Sequence, residues 1–146
     1  MKTIVMLALL LIPIAGMAGE SSIAGLTAHN INDNRTTLDL NPRMKHRLLT
    51  NMRAQMAATQ AIIGLLADEK FERAARAARA KLGMSEDLKQ IYDASNNEDF
   101  KKLGLAAHAS AEELAKTLQT KDLKKSLRAL RSTMGYCVEC HTKFRQ

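Results

Sequence analysis

Aromatic residues are scarce in this chain of 146 residues, which has no tryptophan, two tyrosines and three phenylalanines. Nucleic-acid-binding surfaces often place aromatic side chains among basic ones, so that bases can stack on them. The formal net charge is +7, yet no stretch of the chain interleaves the two residue types. We therefore expect no nucleic-acid partner, in spite of the positive charge.

Proline and cysteine are also rare. Proline occurs only at positions 13 and 42, so none interrupts a helix in the remainder of the chain. The two cysteines are too few for a zinc site made of cysteines alone. No carboxylate pair, nucleophile and base arrangement, or phosphate-binding loop is recognisable, and we predict that the protein is not an enzyme.

The first 18 residues have the pattern of a secretory signal peptide. Lys2 precedes an apolar run over residues 4–15, and the small residues Gly16 and Ala18 follow it. The run is too short to cross a bilayer as a helix, which needs about 20 residues. We predict cleavage after Ala18, export to the periplasm, and no membrane span in the mature chain.

Residues 19–146 keep most of the positive charge. The predicted signal carries Lys2 and no acidic residue, so the mature chain has a formal charge of +6. This surplus either steers the protein to an acidic redox partner or simply keeps a soluble surface solvated. Residues 19–40 are polar and unpatterned, and we interpret them as a leader arm before a domain at 41–146.

The spacing of apolar residues predicts four long helices, A to D, with no convincing strand. Helix A runs over 42–67 after Asn41 and Pro42, helix B over 69–82 before Gly83, and Ser85 caps a short helix. Helix C follows a capping box at 95–98 and ends near 119, and helix D starts at Thr120. Short connections between amphipathic helices predict an all-α, antiparallel four-helix bundle.

Each long helix has a predicted buried stripe. That of helix A is rich in methionine, that of helix B in alanine, and that of helix D continues into Cys137 and His141. The expected buried residues of helix A are Met44, Leu48, Met52, Met56, Thr59, Ile63 and Leu66. Those of helix B are Phe71, Ala74, Ala75, Ala78 and Leu82. Those of helix D are Leu123, Leu127, Leu130 and Met134, followed by Cys137, Val138, His141 and Phe144.

The residues with the most specific spacing are Cys137-Val138-Glu139-Cys140-His141, a pattern typical of covalent haem attachment. On a helix that turns about 100° per residue, the two thiols and the imidazole lie on one face. The thiols can then form thioethers with the haem, and His141 can bind the iron. Two alternatives are a thioredoxin-like redox pair, which belongs with a βαβ pattern, and a zinc site completed by His141 with His29, His46 or His108.

The whole of the mature chain resembles the class II cytochromes c, the family of cytochrome c′ and of the low-spin cytochrome c-556. The resemblance is carried by the length, the four helices and the segment from Cys137 to Arg145 at the end of the last helix. It implies one covalently bound haem c, attached through Cys137 and Cys140, with His141 as the proximal ligand of the iron. It also implies a possible homodimer through helices A and B.

Helix A covers the other face of the haem in that family. The resemblance places Met52 nearest to the position of the distal ligand, with Met56 as the second choice. Methionine ligation predicts a low-spin carrier of single electrons. The alternative is an open, five-coordinate iron that binds small gases such as NO or CO. Leu48 stands where the family often has a basic residue near a propionate, and Arg47 is the neighbouring candidate.

Three further histidines are weaker candidates for the site. His46 lies on the polar side of helix A, His29 in the leader arm, and His108 beside the apolar stripe of helix C. A lone histidine in such a place is more often a surface residue than a ligand. We predict that all three are at the surface.

Overall fold

The computed structural model describes residues 33–146, and the predicted signal peptide and His29 lie outside the described residues. In chain order the elements are β1 (Thr36–Thr37), α1 (Pro42–Ala67), α2 (Phe71–Leu82), α3 (Glu86–Ala94), α4 (Glu98–Gln119), α5 (Leu123–Lys143) and β2 (Phe144–Arg145). Helices A, B, C and D correspond to α1, α2, α4 and α5, and α3 is the predicted short helix. The all-α prediction is confirmed.

Four of the five helices, all except α2, begin where a side chain accepts a hydrogen bond from the first turn. Asn41 accepts from the Met44 amide at 3.0 Å, and Pro42 follows it at the first helical position. The predicted start of α4 was wrong in detail, because Asn97 and not Ser95 accepts from the Phe100 amide. Helix α5 is capped by Asp122 instead of Thr120.

The middle of the bundle is an aliphatic core in which α2 packs against α1 and α4, and α4 packs against α5. Ala74, Ala75 and Ala78 of α2 are buried there, so the helices approach closely. The members of this first cluster are Ala58, Ile62, Leu66, Phe71, Ala74, Ala75, Ala78, Leu82, Ala111, Leu114, Ala115, Leu118 and Leu130. It holds together the ends of the helices that lie away from the haem motif.

A second cluster lies at the other end and contains most of the aromatic residues. Its buried members are Leu38, Leu40, Leu48, Leu88, Ile91, Tyr92, Phe100 and Phe144. The rings of Phe100 and Phe144 meet edge to face, with their centroids 5.4 Å apart. Met52 and Cys140 are partly buried against this cluster. The second cluster therefore connects the first half of α1 with the haem motif on α5.

Residues 33–40 contact the bundle through a short parallel pairing that the sequence did not predict. Thr36 is paired with Phe144 and Thr37 with Arg145. Leu38 and Leu40 are only 2% and 4% exposed and belong to the second cluster. Apolar side chains of the predicted leader arm, which ends at residue 40, thus pack in the same core as side chains of the predicted domain at 41–146.

The predicted buried stripes of α1 and α5 were wrong at several positions. On α1 the buried residues include Ala58 and Ile62, whereas Met56 and Ile63 are exposed. On α5 the face towards its main neighbour α4 contains Ser126, Leu130 and Thr133. The apolar side chains of α5 that this turns outward are Leu123, Leu127, Met134 and Val138. Within residues 33–146, α1 and α5 do not pack closely on each other. The outward-facing apolar side chains of the two helices are therefore not covered by each other.

Among the helices of residues 33–146, none combines the length and the hydropathy that crossing a membrane requires.

Candidate functional site

The last turns of α5 carry the haem motif. The helix runs without interruption from Leu123 to Lys143, so Cys137, Cys140 and His141 have the helical spacing that the sequence predicted. It ends where Phe144 becomes extended and its amide donates to the carbonyl oxygen of Cys140. Phe144 then enters the second cluster, which anchors this end of the helix.

The two thiols lie in different surroundings. Cys140 is half-buried against the second cluster, and Cys137 is more exposed, with its Sγ 4.0 Å from the Thr133 carbonyl oxygen. Burial raises the pKa of Cys137, and burial together with the neighbouring Cys137 and Glu139 raises that of Cys140 to about 11. Both thiols are therefore protonated at neutral pH. Redox-active cysteine pairs have lowered pKa values, so these surroundings argue against the thioredoxin-like alternative.

A cavity of about 330 Å³ opens beside the motif. Its size is within the roughly 300–1,000 Å³ typical of ligand pockets. Its lining residues come from α1, α4, α5 and both flanking segments, and they are Arg35, Leu38, Leu49, Met52, Phe100, Cys140, His141, Phe144, Arg145 and Gln146. The chain thus brings Met52 and His141 to the same cavity from two different helices.

The methionines of α1 differ in their access to this cavity. Met52 is half-buried against the second cluster, and the Gln146 side-chain amide lies 3.9 Å from its sulfur. Met56 is 68% exposed and is not among the lining residues. Leu49, one turn before Met52, also lines the cavity. The structure therefore offers one thioether and one bulky aliphatic side chain from α1.

Arg47, the cationic residue that the sequence indicated beside Leu48, does not line the cavity. Arg47 is paired with Asp87 and donates to Gln90 at 3.3 Å, so its guanidinium contacts α3. Leu48, its neighbour, is buried in the second cluster. The guanidinium groups that line the cavity belong to Arg35 and Arg145. Sequence reasoning missed Arg35 because it lies in the polar leader, where no periodicity indicates a neighbour.

These residues fit a covalently held haem. The thiol of Cys140, the imidazole of His141 and the thioether of Met52 line a cavity whose walls include Leu38, Phe100 and Phe144, and Cys137 lies one turn before Cys140 on α5. The Arg145 guanidinium at the cavity would suit a carboxylate of the haem. Zinc would need four ligands. In the part of the chain that the structure describes, no three His, Cys, Asp or Glu side chains are grouped to hold a metal ion.

His108 is the clearest correction among the histidines, because it was predicted at the surface and is only 5% exposed. Its Nδ1 donates to the Leu82 carbonyl oxygen at 2.6 Å, which leaves Nε2 to accept from the Tyr92 hydroxyl at 3.0 Å. Burial lowers the pKa of His108. The residue that could have indicated this burial is Gly104, one turn earlier on α4. A Cβ at that position would lie 2.4 Å from the Tyr92 ring, so glycine leaves the space in which Tyr92 packs beside His108. His46 is exposed, in agreement with its prediction.

Comparison with known proteins gives one match. The family model described as Cytochrome C' matches residues 48–145, which include Met52 and the complete haem motif. No curated protein matches the chain, and no solved structure matches it.

Proposed function

The chain belongs to the cytochrome c′ family, and we propose that it is a periplasmic, monohaem electron carrier whose low-spin iron has His/Met ligation. Members of the family carry covalently attached haem c with its iron, are typically periplasmic and are generally not enzymes. The observation that carries the proposal is the shared cavity of Met52 and His141. Export depends on the predicted signal peptide at 1–18, which lies outside the described residues.

Cys137 and Cys140 are the proposed attachment residues. They would hold the haem through two thioether bonds, in which each thiol would add across one vinyl group and its hydrogen would pass to the neighbouring vinyl carbon. Their positions at the end of α5 leave the His141 imidazole on the same face of the helix, next to the cavity.

Met52 is the proposed sixth ligand of the iron. When bound, the haem supplies a centre that gains and loses one electron, and a thioether ligand raises its potential by stabilising the reduced form. Met52 packs on one side against the aliphatic and aromatic side chains of the second cluster, which hold the thioether near the cavity. A filled coordination shell requires little rearrangement when the electron is transferred, which suits a carrier.

The surface around the site supports an acidic redox partner. Arg35 and Arg145 line the cavity, and among residues 33–146 only the Asp33 carboxylate lies within 4 Å to balance them. Their excess positive charge, together with the net charge of the chain, would steer a negatively charged partner towards the site.

The proposal also requires an antiparallel arrangement of the helices, because such a bundle brings the first half of α1 and the end of α5 together.

A homodimer through α1 and α2 is also proposed, on a different surface from the one that the alanines suggested. Ala74, Ala75 and Ala78 are buried inside the chain and are not accessible to a second copy. Apart from Leu49, which lines the cavity, the exposed large apolar side chains of α1 are instead Met56 and Ile63. Sedimentation of the purified protein over a range of concentrations tests the dimer.

The optical spectrum of the purified protein tests the function. We expect covalent haem, sharp low-spin bands in the reduced protein, and no change on adding carbon monoxide. A broad high-spin spectrum that shifts with the gas would replace the electron carrier by the second candidate, a five-coordinate gas-binding protein. Leu49 favours that candidate, because it lines the cavity beside Met52 and could cover an open iron site.

A further inference from the structure

Residues 33–40, which we call the strap, lie directly against the haem motif. β1 pairs in parallel with β2, and the Leu38 amide donates to the Arg145 carbonyl oxygen at 2.8 Å. Leu38 and Leu40 anchor the strap in the second cluster. Backbone hydrogen bonds and buried side chains thus fix its position relative to the end of α5.

Arg35 uses this position to reach the backbone of the haem ligand. Its Nη1 donates to the carbonyl oxygen of His141 at 3.3 Å. Its Nε and Nη2 donate to the two carboxylate oxygens of Asp33, both at 2.8 Å. Such a two-point contact fixes the plane of a guanidinium group. The Asp33 carboxylate also lies 3.6 Å from Arg145 Nη1, so it contacts one arginine of the strap and one arginine of β2.

The His141 carbonyl is a group that needs an external donor. The last four carbonyl groups of an α-helix have no partner within the helix. The Cys140 carbonyl accepts from the Phe144 amide, which closes the helix. The His141 carbonyl, one residue later, is satisfied by Arg35. A cation is also favourable there, because the C-terminal end of a helix carries partial negative charge.

We propose that Arg35 is a positioning residue for His141, which fixes the peptide of the iron ligand and places a positive charge beside it. The inference rests on the proposed role of His141 as iron ligand. The contact restricts rotation of the last turn of α5 and therefore the orientation of the imidazole. The charge favours reduced iron, because reduction removes one positive charge from the centre. Asp33 opposes that effect and holds the guanidinium in its plane.

Three variants separate charge from geometry. Arg35→Gln removes the charge and the two-point contact, Arg35→Lys keeps the charge alone, and Asp33→Asn keeps the cation but removes its charged partner. Arg128→Gln is the matched control, because Arg128 is an exposed arginine on α5 more than three turns before His141. Each variant is purified with its covalent haem, and circular dichroism verifies that it is folded.

The measurements are the midpoint potential and the electron paramagnetic resonance g-values of the oxidised protein, which respond to the orientation of the ligand. We expect Arg35→Gln to lower the potential and to change the g-values. Asp33→Asn should raise the potential, and Arg35→Lys should restore the potential but not the g-values. If the substitutions acted only by loosening the fold, Arg35→Gln and Asp33→Asn would shift the midpoint potential in the same direction.

The inference is overturned if Arg35→Gln matches the Arg128→Gln control in both measurements, or if Arg35→Gln and Asp33→Asn shift the potential in the same direction. Failure of the proposed function would look different. The unmodified protein would then lack covalent haem, or His141→Ala would leave the spectrum of the iron unchanged. The two results are therefore distinguishable in the same set of preparations.

Discussion

Met52 and Met56 are one turn apart on α1, yet only Met52 lines the cavity that His141 also lines. We expect Met52→Ala to convert a low-spin spectrum into a high-spin one and to allow carbon monoxide to bind, because among the described residues Met52 alone brings a thioether sulfur to this cavity. Met56→Ala is the control and should leave the spectrum unchanged. Optical spectra of the oxidised and reduced forms decide the matter, and an unaltered Met52→Ala spectrum contradicts the assignment.

His108 gives a second prediction at the residue scale, which concerns pH. Burial holds its pKa below the ordinary value of 6.5 in the folded chain. As the pH falls below that value, the unfolded chain takes up a proton that the folded chain does not, so the free energy of unfolding decreases. The stabilisation is complete above the unfolded pKa and is lost as the pH falls towards the folded one.

Urea unfolding at about pH 7.5 and about pH 5 measures this loss. His108→Gln removes the ionisable group and should make the difference between the two pH values smaller. His46→Gln removes an exposed histidine from α1 and should leave the difference as it is in the unmodified protein. An equal loss in the His108 variant would show that other groups cause it.

At the scale of elements, Gly104 determines how closely α3 and α4 can approach. A Cβ at this position would lie 2.4 Å from the Tyr92 ring, whereas one at Gly64 on α1 would meet nothing within 4 Å. We expect Gly104→Ala to destabilise the protein by about 1–3 kcal/mol through overpacking. Gly64→Ala should stabilise it by about 0.5–1 kcal/mol, because alanine is the better helix former. Urea unfolding measures both, and equal effects would contradict the close contact.

The helices were predictable from the sequence, but the faces that they bury were less so. Asn41 with Pro42 and Gly83 mark ends that local chemistry dictates, so α1 has both of its predicted limits, and α4 ends at Gln119 as predicted. Periodicity gives a stripe on each helix but does not say which neighbour covers it, so Ile63 and Leu127 were wrongly predicted to be buried. Contacts between distant parts of the chain, such as Arg35 with His141 and Tyr92 with His108, leave no local pattern.

For the molecule as a whole, the formal charge of +6 on the predicted mature chain should govern how fast it exchanges electrons. We expect the rate with an anionic inorganic oxidant to fall as salt is added, because screening weakens the attraction. The rate with a cationic oxidant should rise under the same conditions. Stopped-flow measurements over a range of ionic strength test this, and identical salt dependence for both oxidants would contradict electrostatic steering.

The pairing of the strap with β2 also determines the order in which the fold can be completed. Thr36 and Phe144 are neighbours in space, but more than 100 residues of chain separate them. Almost all of the first cluster comes from α1, α2 and α4, so it can assemble without the end of α5. The second cluster needs Phe144, which must first be brought next to residues 38–48 across a long stretch of chain. We therefore expect the end of the molecule that carries the haem motif to acquire its tertiary structure last, after most of the bundle has formed.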